Sequence, residues 1–140
     1  METSGSDRVL VDTSVWIEFF RGVEPFRSSV LALMQDRRIC CAGVILAELL
    51  QGAKSENEVS VLRDFAHVFE FLPESVAAWE RAGVLSFNLR RKGRTAGLAD
   101  CYLAVLASEA GAQVFSRDVH FRMIGEELGL ALLEVDHSSP

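Results

Sequence analysis

Short apolar runs alternate along this chain with longer stretches of helical periodicity, and that alternation most narrows what it can fold into. Val9-Leu10-Val11 ends at Asp12 and reads as a buried strand. Asp12-Thr13-Ser14 then supplies N-cap chemistry for a helix over residues 15–20. Glu24-Pro25 restarts a helix in which Phe26, Val30, Leu31, Leu33 and Met34 fall at helical spacing. Residues 39–42 read as a second strand, 44–51 and 56–66 as helices, and 68–71 as a third strand. Pro73 opens a long amphipathic helix over 74–92, with Gly93 as its C-terminal cap. Residues 98–110 form a helix that is apolar on nearly every side and so belongs inside the molecule. A fourth strand is predicted over 114–116, a helix over 118–128 ended by Gly129, and a short fifth strand over 131–135. The pattern predicts an α/β fold with a parallel sheet of four to five strands, covered by helices on both faces. In such sheets binding sites form at the carboxyl ends of strands, where the strand order reverses. Asp12 and Asp118 both directly follow predicted strands.

The length of 140 residues and the 49% hydrophobic content suit one well-buried domain, expected over residues 8–136. Residues 1–7 read as a disordered N-terminal tail and 137–140 as a C-terminal tail. No apolar run reaches the roughly 18 residues of a membrane span, and the polar start lacks a signal-peptide pattern. A cytoplasmic location is therefore expected. The cysteines, Cys40, Cys41 and Cys101, are odd in number, and two are adjacent in an apolar segment. They form neither a disulfide framework nor, with His67, His120 and His137, a zinc-ligand spacing, and are expected to be buried and reduced. The net charge of −6 is opposite in sign to that of a general nucleic-acid binder. A hydrolytic metal site softens this objection, because it needs several carboxylates whose charge bound cations reverse locally.

Four acids stand out. Glu48 lies in Val44-Ile45-Leu46-Ala47-Glu48-Leu49-Leu50, and its helical neighbours Val44, Ile45, Gln51 and Gly52 include no cation. Asp100 lies in Leu98-Ala99-Asp100-Cys101-Tyr102, with Ala96, Gly97, Leu103 and Ala104 as its neighbours. An ionised carboxylate on an apolar helix face is costly unless something pairs with it. The partner is then distant: an Arg or Lys from elsewhere, or a metal ion. Simpler roles exist for three of the acids taken singly. Asp12 and Asp100 could be helix caps, and Asp118 could cap its helix and pair with Arg122. The joint occurrence of two acids at strand ends and two on apolar helices favours one acidic site.

At these positions the chain resembles PIN domains of the VapC type. Such domains open with a strand followed by Asp-Thr-Ser or Asp-Ser-Ser, here Val9-Leu10-Val11-Asp12-Thr13-Ser14. A Glu in an apolar helix follows, here Ala47-Glu48-Leu49, and then an Asp in a Leu- and Ala-rich helix, here Leu98-Ala99-Asp100-Cys101. The last motif, usually Thr-x-Asp-x-Asp-Phe after a strand, is here Ser116-Arg117-Asp118-Val119-His120-Phe121. The likeness runs from about Val9 to Val135. One departure is clear: His120 stands where the final Asp of that motif is usual. A neutral imidazole could ligate a transition metal, although Mg²⁺ prefers oxygen.

The resemblance implies a PIN-like three-layer α/β/α fold and a metal-dependent endoribonuclease, the toxin of a toxin–antitoxin pair. Asp12, Glu48, Asp100 and Asp118 would be the catalytic and metal-binding acids for Mg²⁺ or Mn²⁺. Asp12 and Asp100 would be the main ligands, and Glu48 and Asp118 would complete the cluster. Ser14 and Ser116 could orient ligands or waters by hydrogen bonds. The substrate class implied is RNA, tRNA or rRNA. The partners implied are a second copy in a homodimer and a small VapB-type antitoxin with a basic C-terminal segment, with no membrane involved. The basic run carrying Arg90, Arg91 and Arg94 could touch RNA or simply favour a helix C-terminus. A housekeeping RNA-processing nuclease and a PIN fold that only binds a protein partner are the competing roles. A receiver domain fits poorly, because no Asp follows the third strand. A haloacid-dehalogenase-like phosphatase fits poorly too, because Ser14 stands where Asp-x-Asp would need its second acid.

Overall fold

The computed structural model describes residues 7–135. The expected tails lie outside them, apart from Asp7, whose carbonyl accepts a hydrogen bond from Arg38 Nε at 2.6 Å. In chain order the elements are β1 (Val9–Val11), α1 (Thr13–Phe20), α2 (Phe26–Gln35), β2 (Ile39–Cys41), α3 (Gly43–Gln51) and α4 (Glu56–Ala66). They continue with β3 (Glu70–Phe71), α5 (Val76–Arg91), α6 (Leu98–Ala110), β4 (Gln113–Phe115) and α7 (His120–Leu128). The four strands form one parallel sheet in the order β3-β2-β1-β4. Every residue of β1 and β2 is buried, so helices cover both faces, as the apolar runs require. The chain winds outward from β1 to β3 and then returns to place β4 on the other side of β1. The switch point therefore lies between β1 and β4, at the strand ends that lead into Asp12 and Asp118.

Most expected helices form where the periodicity puts them, and the differences have local causes. Ser75, outside the helix, caps α5 by accepting from Ala78 N at 3.1 Å. The third strand is two residues rather than four. Val68 N and Phe69 N are already bonded back to Phe65 and Ala66 carbonyls in the turn that ends α4, so neither donates to the sheet. The fifth strand is not formed as such. Residues 131–135 make one isolated parallel bridge, Val114 to Leu132, through Val114 N to Ala131 O and Leu133 N to Val114 O. The helix expected from 118 starts at His120, because the Asp118 side chain accepts the His120 N–H and takes Asp118 out of the helix. Arg122 pairs with Glu134 at 3.6 Å, not with Asp118.

α6 is the structural centre. Seven consecutive residues from Cys101 to Ala107 are buried, which accounts for its lack of a polar face. It ends at Gly111, whose φ of 67° is a left-handed conformation that glycine adopts without steric cost. The cysteines are free and buried, as expected, and burial pushes the Cys40 thiol up to about 12 and the Cys41 thiol up to about 11. All three belong to the packed core. Among the described residues no helix is long and apolar enough to cross a membrane.

Because α6 both fills the core and carries Asp100, loosening it should cost stability before it costs anything else. Leu103→Ala, at a side chain that is 1% exposed, is expected to destabilise the protein by about 2–5 kcal/mol, read as a lower urea midpoint with an unchanged slope.

Candidate active site

Asp12 leaves β1 and caps α1. Its carboxylate is buried, and one of its oxygens, Oδ2, collects the local donors. Ser14 Oγ donates to it at 2.7 Å, Ser116 Oγ at 2.9 Å, and Ser14 N more weakly at 3.4 Å. Ser14 stands in the first turn of α1 and Ser116 in the loop after β4, on the two sides of the switch point, and their hydroxyls also meet each other at 3.3 Å. The backbone repeats the tie, since Asp12 N donates to Phe115 O at 2.9 Å. The cap role and the site role of Asp12 are therefore one arrangement: Oδ2 is spent on the fold, and among the described residues none of these donors goes to Oδ1.

The other acids arrive from separate elements. Glu48, on the exposed side of α3, accepts from Thr13 Oγ1 at 2.9 Å, which links α3 to the first turn of α1. Asp118, in the loop after β4, accepts from both the backbone N and the ring Nδ1 of His120, at 2.9 and 2.7 Å. Asp118 N in turn donates to Ser116 Oγ at 2.9 Å. Asp100 stands in the first turn of α6, where Gly97, not Asp100, is the cap. That position places it beside the positive end of the helix dipole.

Asp100 reports the convergence. Its carboxyl is pushed up to about 6, first by burial and then by the charges of Asp12, Asp118 and Glu48, with His120 acting in the opposite sense. Asp12, Asp118 and Glu48 thus each lie within electrostatic reach of Asp100. They do not, however, close on a point: among the described residues no three His, Cys, Asp or Glu side chains are drawn together as a formed metal centre. The donor set suits a hard divalent cation, being four carboxylates with no thiolate among them. His120 is occupied by Asp118, so its clearest role is to orient that acid.

Other sequence expectations meet the structure less directly. In the basic run, Arg94 pairs with Glu126 at 3.5 Å and Lys92 with Glu127 at 2.7 Å, while the Arg91 guanidinium lies over the Phe87 ring. Part of its charge is therefore answered within the fold. One acid escaped sequence reasoning altogether. Glu18, on α1, is 6% exposed and pairs with Arg117 at 3.0 Å and Arg21 at 3.3 Å. The signal was present in Val15-Trp16-Ile17-Glu18-Phe19-Phe20, an acid inside an apolar helix like Glu48, but Arg21 three residues on supplies a local partner. Thr13 was likewise read only as part of a cap motif.

The raised carboxyl of Asp100 sets a pH dependence. A group whose folded pKa exceeds its unfolded value contributes stability at low pH and loses that contribution as pH rises through the folded value. For Asp100 the window runs from about 4, the ordinary Asp value, to about 6. In chelator, wild type should lose stability relative to Asp100→Asn across this window, and the mutant should melt higher at neutral pH. Thermal unfolding of both proteins between pH 4 and 7.5 checks this. A mutant less stable than wild type at neutral pH would show that Asp100 is paired with a cation of the protein.

A PIN domain family model matches residues 9–127 of the chain. Ribonuclease VapC11 of Mycobacterium tuberculosis is 31% identical over 121 residues, covering 83% of this chain and 90% of that protein. Ribonuclease VapC32 of the same organism is 31% identical over 127 residues, covering 90% and 97%. Among solved structures, VapBC2 from Rickettsia felis, bound to a DNA fragment from its promoter, aligns with a TM-score of 0.73 at 21% identity, covering 91% of this chain and 98% of that one. DNA-bound VapBC from Salmonella typhimurium aligns with a TM-score of 0.70 at 24% identity, covering 91% and 96%. These two likenesses concern the fold, whereas the sequence matches, with the acids at the ends of β1 and β4 and on α3 and α6, carry the kinship: the chain belongs to the PIN-domain family and, within it, to the VapC ribonucleases.

Proposed function

We propose that the chain is the toxin of a type II toxin–antitoxin pair, an endoribonuclease that cleaves RNA at the cluster of Asp12, Glu48, Asp100 and Asp118. The observation that carries this reading is that Asp12 and Asp118, tied together through Ser116, stand at the switch point of a parallel sheet, with Glu48 bonded to the first turn of α1 and Asp100 raised by burial and by the charges of the other three. Repelling acids held at one place are costly to the fold, and a cation-dependent reaction is a reason to keep them. The domain responsible is the single unit expected over residues 8–136.

Asp12 and Asp100 would hold a divalent cation, Mg²⁺ or Mn²⁺, with Glu48 and Asp118 completing the site directly or through water. When bound, such an ion lowers the pKa of a water and stabilises charge on a phosphate and its leaving oxygen. The chain's own residues supply position. Ser14 and Ser116 hold Asp12 by one oxygen, Oδ2, and do not bond the other. Thr13 holds Glu48, and His120 holds Asp118. Arg90, Arg91 and Arg94 are the proposed RNA contacts outside the cluster, and tRNA or rRNA the proposed substrate class. The proposed partners are a second copy of the chain and a small VapB-type antitoxin. The antitoxin's basic C-terminal segment would insert an Arg among the carboxylates in place of the cation. The proposed location is the cytoplasm, where that RNA is found.

Asp100→Asn should abolish Mn²⁺-dependent cleavage of total RNA while the circular dichroism spectrum stays that of the folded protein. Cleavage at the wild-type rate, or cleavage that survives a chelator, removes the metal-site assignment. In a bacterial host, expression of the chain alone should slow growth, and co-expression of the antitoxin encoded beside it should restore growth. Harmless expression of soluble, folded and RNA-cleaving protein would point instead to a housekeeping nuclease.

A further inference from the structure

The loop between β4 and α7 carries Ser116 and Asp118 on either side of Arg117, so a guanidinium is covalently placed beside the acidic cluster. Its side chain does not join the acids. It runs back to α1, where Nη1 meets Glu18 Oε2 at 3.0 Å and the guanidinium lies over the Phe26 ring, 5.4 Å from its centroid. Phe26 in turn stacks on Phe115, the last residue of β4, with centroids 6.1 Å apart. The Glu18 side chain is 8% exposed, so it is a buried carboxylate, and its two oxygens are divided between Arg117 and the more exposed Arg21. Arg117 N meanwhile donates to Ser14 Oγ at 3.0 Å, so the loop backbone stays tied to the Asp12 network whatever its side chain does.

An arginine next to several carboxylates would ordinarily pair with them, because its planar fork matches a carboxylate with two parallel hydrogen bonds. Here Glu18 is the stronger claimant: Asp12 is equally buried but already accepts from Ser14 and Ser116, whereas Glu18 is answered by arginines, and a buried charge without a partner costs more than an exposed one. We propose that Glu18 is a positioning residue that parks the Arg117 guanidinium against α1 and Phe26, and so keeps the cation built into the chain from occupying the acidic cluster. The inference rests on the reading of that cluster as a divalent-cation site. It gives Glu18 a role in the reaction without contact with substrate or metal. Glu18 removes an internal competitor that would act on the cluster as an inserted external arginine would.

The test is a cycle of Glu18→Gln, Arg117→Gln and the double variant, with Mn²⁺ affinity measured by calorimetry and RNA cleavage measured beside it. In Glu18→Gln the released guanidinium should weaken Mn²⁺ binding by about tenfold or more, the scale of one hydrogen bond between charged groups, with a parallel fall in cleavage. Arg117→Gln in the Glu18→Gln background should restore most of the affinity, because the competitor is gone. Arg117→Gln alone should bind Mn²⁺ as wild type does. A purely structural role for the pair predicts the reverse order, with the double variant no better than Glu18→Gln, and that outcome overturns the proposal. So does a Glu18→Gln protein with wild-type affinity. Where Glu18→Gln folds poorly, Glu18→Asp keeps the charge and shortens its reach. It should weaken Mn²⁺ binding less, and again be rescued by Arg117→Gln; absence of rescue counts against the proposal. If wild type itself neither binds Mn²⁺ nor cleaves RNA, the cation-site reading fails, and with it the premise of this inference.

Discussion

The buried carboxylate of Asp12 is the interaction on which the rest depends. It closes β1, caps α1, and through Oδ2 gathers hydroxyls from Ser14 and Ser116. Those bonds join the first turn of α1, which follows β1, to the loop after β4, the two strands between which the order of the parallel sheet switches sides. A charge buried to this degree is tolerated only with donors around it. Those donors decide how the loop carrying Asp118 meets the start of α1. The site is thus a consequence of satisfying one buried acid.

Around it the molecule balances repulsion with local restraint. Glu48 is held by Thr13, Asp118 by His120, and Asp100 by its place at the positive end of α6. Each restraint fixes its acid in place, and the Asp100 carboxyl is raised by burial and then by the charges of the other three. The departure of His120 from the Asp usual in that motif has a structural use, since an imidazole at 2.7 Å from Asp118 orients that acid. Glu18 and Arg117 extend the same logic. A second buried acid, on the far side of the loop, takes up the cation that the loop itself brings.

Much of this is legible in the order of the residues. Helices α4 and α6 fall at the residues that periodicity indicates, because burial on one face, or on all faces, leaves its mark in the order of apolar residues. Three of the four strands were placed within about a residue of their ends. The third and fifth were overestimated for one reason: apolar composition marks what is buried, not what is paired. Val68 and Phe69 spend their N–H groups on a turn, and residues 131–135 reach the sheet edge at a single bridge.

The fold class is readable in the order of the residues, and Asp12, Glu48, Asp100 and Asp118 stand out there as candidates. Both depend on local properties: residue period, strand-end position, and the lack of a neighbouring cation. Only the folded chain brings Asp12, Glu48 and Asp118 within electrostatic reach of Asp100, commits Oδ2 of Asp12 to Ser14 and Ser116, and turns Arg117 to Glu18. Those facts join residues about one hundred positions apart in the chain. Through-space electrostatics and hydrogen-bond direction leave no trace in local spacing, so they become definite only when the sheet brings β1 and β4 side by side.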